Sequence, residues 1–203
     1  MLTKEQLKIL GVFHKNIFAE LTFKQIKDQS SQKSNNIVQI ALKEFQKEKI
    51  IRIKKIGDVF VYSLNLDNNL TFVYLNLVNQ TNLLNKKFPI AILDQIQKGI
   101  FKQTEFFILI LFGSYAKGKV NDKSDLDIAV IVESEQAKKD IAPNLETIKR
   151  REVKSIDYHI FTRNEFLQML NEEMENIGKQ IYKNSIIYYG FIEYCNILRG
   201  AQK

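Results

Sequence analysis

The chain has 203 residues, 45% of them hydrophobic and 26% charged, with 30 Lys/Arg against 23 Asp/Glu and a formal net charge of +7. That is room for one ordinary domain and a smaller companion, and it excludes a disordered or fibrous chain. The single Cys195 excludes an internal disulfide and a cysteine metal cluster, and suits a reducing cytoplasm. No apolar run approaches the roughly 18 residues of a membrane span, the longest strand-like one being Phe106 to Phe112. Met1-Leu2-Thr3-Lys4-Glu5 brings charge at once where a signal segment is apolar. The expected location is the cytoplasm, with no membrane partner.

From the start of the chain, Thr3 to Gln6 and Thr22 to Gln25 both have the capping-box form, so each opens a helix. A third helix is expected from about Ser34, because Ile37, Val38, Ala41, Leu42 and Phe45 make one apolar stripe. Ile50 to Ile56, then Gly57-Asp58, then Val59 to Leu64 reads as a hairpin. Residues 1–66 hold 12 Lys/Arg against 6 Asp/Glu, so nearly the whole basic excess lies there, and phosphate backbones attract such a patch. Helix, helix, helix, hairpin resembles a winged helix-turn-helix over residues 1–66. The resemblance implies that the third helix meets duplex DNA through Lys33, Ser34, Asn35, Asn36 and Gln39, with Gln32 beside them. Arg52, Lys54 and Lys55 of the wing would then hold phosphates, with Lys33. Winged helices also serve as protein-interaction modules. Lys49 stands where relatives often carry Gly before the wing.

Leu66 to Leu70 is the most turn-prone stretch between periodic regions and marks the expected boundary. Residues 67–104 are expected to be a helical connector, although Thr71 to Leu75 also fits a strand, and Pro89 suits the first turn of a helix. A second domain is expected over residues 105–203. Between Leu111 and Val132 an apolar strand ends in Gly113-Ser114, a polar loop follows, and Asp125-Leu126-Asp127 enters a second apolar strand. In an extended strand residues two apart share a face, so the two carboxylates project together. A carboxylate pair suits Mg²⁺, which completes its shell with water and phosphate oxygens. Gly113-Ser114 lets backbone and hydroxyl approach a phosphate. Gly113 to Lys119 also spells most of a P-loop, but Val120 replaces the Ser or Thr that would ligate Mg²⁺, and the turn-forming 121–124 leads into a strand where a P-loop leads into a helix.

Gly113-Ser114-x-Ala116-x-Gly118 followed by Ser124-Asp125-x-Asp127 resembles the polymerase-beta-like nucleotidyltransferase superfamily, most of all its minimal branch, over roughly residues 105–165. The resemblance implies a third carboxylate on a later strand, and Asp157 is in place, opposite Ile156, Tyr158 and Ile160 and on one face with His159 and Phe161. It implies that Asp125, Asp127 and Asp157 are catalytic and hold two Mg²⁺ ions, and that Gly113, Ser114, Lys117 and Ser124 bind the nucleotide. Lys117 stands where close relatives often carry Arg, which keeps the charge and loses the bidentate fork. Lys119 offers a further loop charge.

The implied fold is α/β (α+β): a winged helix-turn-helix followed by a mixed β-sheet flanked by helices. The implied activity is transfer of a nucleoside monophosphate, AMP from ATP in many members, to a protein or small-molecule hydroxyl. Some members are antitoxins that modify a HEPN-type ribonuclease toxin. The alternative is a DNA-binding transcription regulator whose transferase-fold domain senses a ligand or dimerises; an antibiotic-modifying transferase has less use for a basic DNA-reading module. Beyond Asp157, Thr162 to Glu165 is another capping box, with Phe166, Leu170 and Met174 expected along one helical face. The tail from Ile181 to Leu198 reads as helical and aromatic. Cys195 reads as a helical filler there, and Tyr188, Tyr189, Phe191 and Tyr194 as a homodimer contact or as core.

Overall fold

The computed structural model describes residues 1–84, 88–119, 121 and 124–201. Val120, Asp122 and Lys123, part of the expected turn ahead of Asp125, lie outside the described residues. The chain divides into two compact units, Met1–Thr81 and Asn82–Lys203.

The first unit runs α1 (Lys4–Leu10), a 3₁₀ turn at Gly11–Phe13, β1 (Leu21–Thr22), α2 (Phe23–Gln29), α3 (Asn35–Lys47), β2 (Ile51–Ile56), β3 (Val59–Leu64) and α4 (Asn69–Leu84). Both expected capping boxes are formed: the hydroxyls of Thr3 and Thr22 accept from the backbones of Gln6 and Gln25, whose side chains reach back to the cap residues. β2 and β3 pair antiparallel from Ile51–Leu64 to Ile56–Val59, and β1 adds to the other side of β3. The α3 stripe is buried at Val38, Ala41, Leu42 and Phe45, while Ile37 stays exposed. α3 ends in a left-handed residue, with the Lys49 N–H bonded to Gln46 O and the Ile50 N–H to Phe45 O, the two bonds of a Schellman cap. Lys49 has φ 55°, so this position is left-handed, at the usual steric cost of a Cβ.

Thr71 to Leu75, open to a strand reading in the sequence, is helical and lies in α4. That helix buries polar groups along with apolar ones: the Thr71 hydroxyl donates to Asn65 O at 2.8 Å, and Asn79 Oδ1 meets His14 Nε2 at 3.3 Å. Burial pushes the His14 imidazole down to about 4, so it is neutral near pH 7. These bonds tie α4 to the first unit. The segment 67–104, expected as one connector, is therefore divided, with most of α4 in the first unit and the helix after it in the second.

The second unit contains α5 (Ile90–Phe101), β4 (Phe107–Leu111), α6 (Gly113–Lys117), β5 (Leu126–Val132), α7 (Glu135–Arg151), β6 (Ile156–Thr162), α8 (Arg163–Asn171), α9 (Ile177–Lys183), β7 (Ile186–Tyr189) and α10 (Phe191–Ala201). Its four-stranded sheet has the order β6-β5-β4-β7; β5 and β6 are parallel and the other pairs antiparallel, so the sheet is mixed. One face, carrying Phe107, Leu109, Leu111, Leu126, Ile128, Val130 and Ile156, packs on Leu93, Ile96 and Ile100 of α5 and on Ile141, Leu145 and Ile148 of α7. α8 and α10 contact the strands as well. Among the described residues no helix is long and apolar enough to cross a membrane.

Two sequence expectations need correction. Met174 lies past the end of α8 and is exposed, so only Phe166 is fully buried on that helix. The tail is not continuous helix: Ile186 to Tyr189 forms edge strand β7, where cross-strand pairing with β4 outweighs any helical tendency of four residues. Phe191 and Tyr194 are buried in α10 and Tyr188 donates to Asp94 of α5, so these rings pack within their own unit. Cys195 is buried in the same helix, which raises its thiol to about 12 and leaves it inert.

Replacing Lys49 by Gly relieves the left-handed strain and leaves the carbonyl that accepts from Asn65 and Asn68. The expected gain is about 0.5–1 kcal/mol after the entropy of a freer unfolded chain is deducted. It is read as a higher urea midpoint for the first unit, with Lys49→Ala as the control that brings no gain.

Candidate active site

The site is assembled at one end of the mixed sheet, where β4 ends and β5 and β6 begin. Asp127 and Asp157 are register partners on the parallel pair β5 and β6, so their side chains point to the same face on neighbouring strands. Asp125 comes just ahead of β5 and is exposed, as is Asp157, while Asp127 is half-buried. The Phe112 N–H donates to Asp127 O at 3.0 Å, which continues the β4–β5 ladder up to the glycine.

Gly113 is the hinge of this arrangement. Its φ is +65°, a conformation that costs an L side chain strain, and a Cβ there would overlap Asp127 Oδ2 and lie 2.6 Å from its Cγ. The carboxylate occupies the space of the missing side chain and accepts from the backbone N–H of Ser114. Burial raises the Asp127 pKa, the Ser114 N–H opposes that shift, and the negative charges of Asp157 and Asp125 push it further up, with His159 acting the other way. Three carboxylates thus share one electrostatic neighbourhood. Ser114 Oγ is buried and has no hydrogen-bond partner among the described residues.

On β6 itself, His159 Nε2 stands 3.4 Å from Asp157 Oδ2. The imidazole is parallel to Phe161, with centroids 6.0 Å apart, and lies 6.1 Å from the Phe112 ring. Phe112, His159 and Phe161 make an aromatic row beside the carboxylates. Among the described residues no group of three or more His, Cys, Asp or Glu is clustered tightly enough to hold a metal ion, so the close relation is the Asp127–Asp157 pair.

The other sequence candidates separate. Lys117 ends α6 and is exposed, and Lys119 is exposed beyond it. Ser124 is engaged in its own loop: its hydroxyl accepts from the Asn121 N–H at 2.9 Å and reaches Asn121 Oδ1 at 3.1 Å, so it shapes the approach to Asp125. Lys154 has no motif to mark it in the sequence, where it is one more charge after the basic Lys149-Arg150-Arg151. Folding brings its Nζ to 5.7 Å from the Tyr115 ring, next to Ser114, while the Leu126 N–H bonds Ser155 O. Only the β5–β6 register reveals that proximity.

In the first unit Lys33, Asn35, Asn36, Gln39, Lys54 and Lys55 are exposed, and Ser34 caps α3 without a side-chain bond. Two neighbours are engaged: Gln32 donates to Glu5 at 2.8 Å, and Arg52 pairs with Asp67.

Residues 94–189 match the family model described as Polymerase beta, Nucleotidyltransferase. No curated protein and no solved structure matches the chain. The family match supports a nucleotidyltransferase domain and begins at Asp94 inside α5, ahead of the boundary expected at residue 105. That start agrees with the packing of α5 against the sheet.

Gly113→Ala tests the hinge. It should lower the stability of the second unit by about 2 kcal/mol, the strain of a left-handed alanine plus displacement of Asp127. Gly118→Ala is the comparison: Gly118 has φ +70°, but a methyl group added there would meet nothing within 4 Å, so the substitution should cost less. Equal losses in thermal melts of the two variants would show that the Asp127 contact contributes nothing.

Proposed function

We propose that the second unit is a metal-dependent nucleotidyltransferase that moves a nucleoside monophosphate, AMP from ATP, to a hydroxyl of a protein or small molecule. The observation that carries this reading is the convergence of Gly113-Ser114 with Asp127 and Asp157. Asp125, Asp127 and Asp157 would hold Mg²⁺, one ion or the pair expected from the family resemblance. The donor set fits, since Mg²⁺ needs only one or two carboxylates beside phosphate oxygens and water. The like charges that raise the Asp127 pKa are the ones a cation would relieve. When bound, the metal neutralises charge on the leaving pyrophosphate and acidifies the attacking hydroxyl.

The protein's own groups have separable tasks. Ser114 spends its backbone N–H on Asp127, which leaves the buried hydroxyl to donate to a phosphate oxygen. Lys117, exposed at the end of α6, would add positive charge on the phosphate side. His159 orients Asp157 and is itself held between Phe112 and Phe161. A protein acceptor of the HEPN toxin type belongs to the same proposal, with the open, exposed side of Asp157 as the approach.

Asp127→Asn should weaken Mg·ATP binding at least tenfold in calorimetry and abolish labelled-nucleotide transfer, because an amide cannot supply the charge a cation needs. Binding of ATP that is independent of Mg²⁺ and unchanged in the variant would sink the assignment.

The first unit supports a second activity, duplex DNA binding through a winged helix. What supports it is the helix, strand, helix, helix, hairpin order with Lys33, Asn35, Asn36 and Gln39 exposed at the start of α3 and Lys54 and Lys55 exposed on β2. Arg52, also expected among the phosphate contacts, is held by an exposed ion pair with Asp67 that a phosphate could displace. With the full chain, a Lys54→Gln, Lys55→Gln variant should bind duplex DNA more weakly and lower the slope of log affinity against log salt by about 2. An unchanged slope would take the wing off the DNA and leave it as a protein contact.

A further inference from the structure

At the end of the mixed sheet away from the carboxylates there is a cleft of about 290 Å³. It is bounded by the start of β4, the end of β5, the first residue of α8, the end of β7 and the first turns of α10. Its β4 residues are five to eight positions from Gly113 and its β5 residues four to six from Asp127, about 13–26 Å at the strand rise, so it is separate from the transferase site.

Its floor is apolar. Ile108, Ile131 and Ile197 are buried there, while the Phe107 and Tyr189 rings turn to the other face of the sheet and pack on Phe101 of α5. Phe106, 61% exposed, stands at the mouth. The rim carries Glu105, Glu133 and Glu193 against the single Arg163, with Asn196 beside them. These four charged side chains are exposed, and among the described residues none of them has an ion-pair or hydrogen-bond partner. Arg163 sits on the same rim as three carboxylates and pairs with none, so three acceptors of positive charge remain available around an apolar floor. The excess of carboxylates sets a negative potential at the mouth, which concentrates cations and repels nucleotides. The volume is at the small end for ligand sites and admits one ring with a short chain, not an extended peptide.

We propose that this cleft is a second binding site and that it takes a small organic cation, an ammonium group carried on a ring-sized apolar body. The body covers Ile108, Ile131 and Ile197, and the ammonium stays at the rim between Glu133 and Glu193 with the face of Phe106 within reach. Binding there is independent of the nucleotide.

The test uses the full chain at low salt and the probe phenethylammonium, followed by ligand-observed NMR titration. Saturable binding in the millimolar range is expected, weakened about fivefold in a Glu133→Gln, Glu193→Gln variant and unchanged in Asp127→Asn. Both glutamates are exposed, so the double variant should fold as the wild type does, which a melting curve verifies. Equal binding of 3-phenylpropionate, which has a similar body and the opposite charge, would overturn the assignment. So would undiminished binding by the double variant. Loss of binding in Asp127→Asn would return the probe to the transferase site. Tighter binding of a blocked Phe-Lys dipeptide than of phenethylammonium would make the cleft a peptide-docking surface and end the small-ligand reading. Failure of any of these arms leaves the nucleotidyl-transfer proposal standing, since that rests on Mg·ATP and Asp127.

Discussion

A carboxylate takes the place of a side chain at residue 113, and the geometry of the candidate active site depends on that contact. Asp127 fills the space beside the Gly113 Cα, accepts the Ser114 N–H and is thereby pressed toward the end of β4. The contact fixes where Ser114 Oγ lies, and it half-buries a charge that water would otherwise stabilise. Asp157 beside it and Asp125 ahead of it raise the electrostatic cost. Such an arrangement persists because two paired strands hold it from below: Phe112 bonds to Asp127 O on one side, and the parallel β5–β6 register brings Asp157 alongside on the other. The apolar face of the same strands, packed on α5 and α7, stabilises what the polar end destabilises.

The two units divide the chemistry by charge. The basic excess lies in residues 1–66, mostly as exposed lysines, whereas the remaining residues hold 18 Lys/Arg against 17 Asp/Glu. Within the second unit the near balance hides local asymmetry, with carboxylates at both ends of the sheet and cations around Lys117 and Lys154. The two carboxylate groups differ in setting. Asp127 is half-buried and coupled to its neighbours, while the glutamates of the opposite cleft are exposed around an apolar floor, so the first suits a hard cation and the second a soft, partly apolar one.

Much of this is legible in the sequence, and the reason is locality. Capping boxes at Thr3, Thr22 and Thr162 are four-residue signals that need no tertiary information, and all three are formed. Gly113-Ser114 and Asp125-x-Asp127 are readable as two strand ends, and the period of two places Asp157 and His159 on one face. Where sequence reasoning fails, nonlocal contacts decide. Thr71 to Leu75 has β-branched and aromatic residues that fit a strand, yet burial of Thr71 and the hydrogen bonds of α4 make it helix. Ile186 to Tyr189 is too short for its period to mean anything, and its state is set by β4, far earlier in the chain. Lys154 and the Arg52–Asp67 pair are proximities of folded chains and have no signal in either local segment.

That long-range pairing of β7 also sets an order of events. Leu111 and Ile186 are register partners across the sheet, so β4 keeps an open edge until the segment after α9 has been made and has returned. Closing such a loop is entropically slow, and an apolar strand with an open edge pairs readily with other chains. The first unit has its own short-range pairings, β2 with β3 across a two-residue turn, and does not wait. During synthesis a basic module is thus complete while the sheet that carries the carboxylates is still unfinished, and the interval between them is when the nascent chain is most exposed to aggregation or in need of a chaperone.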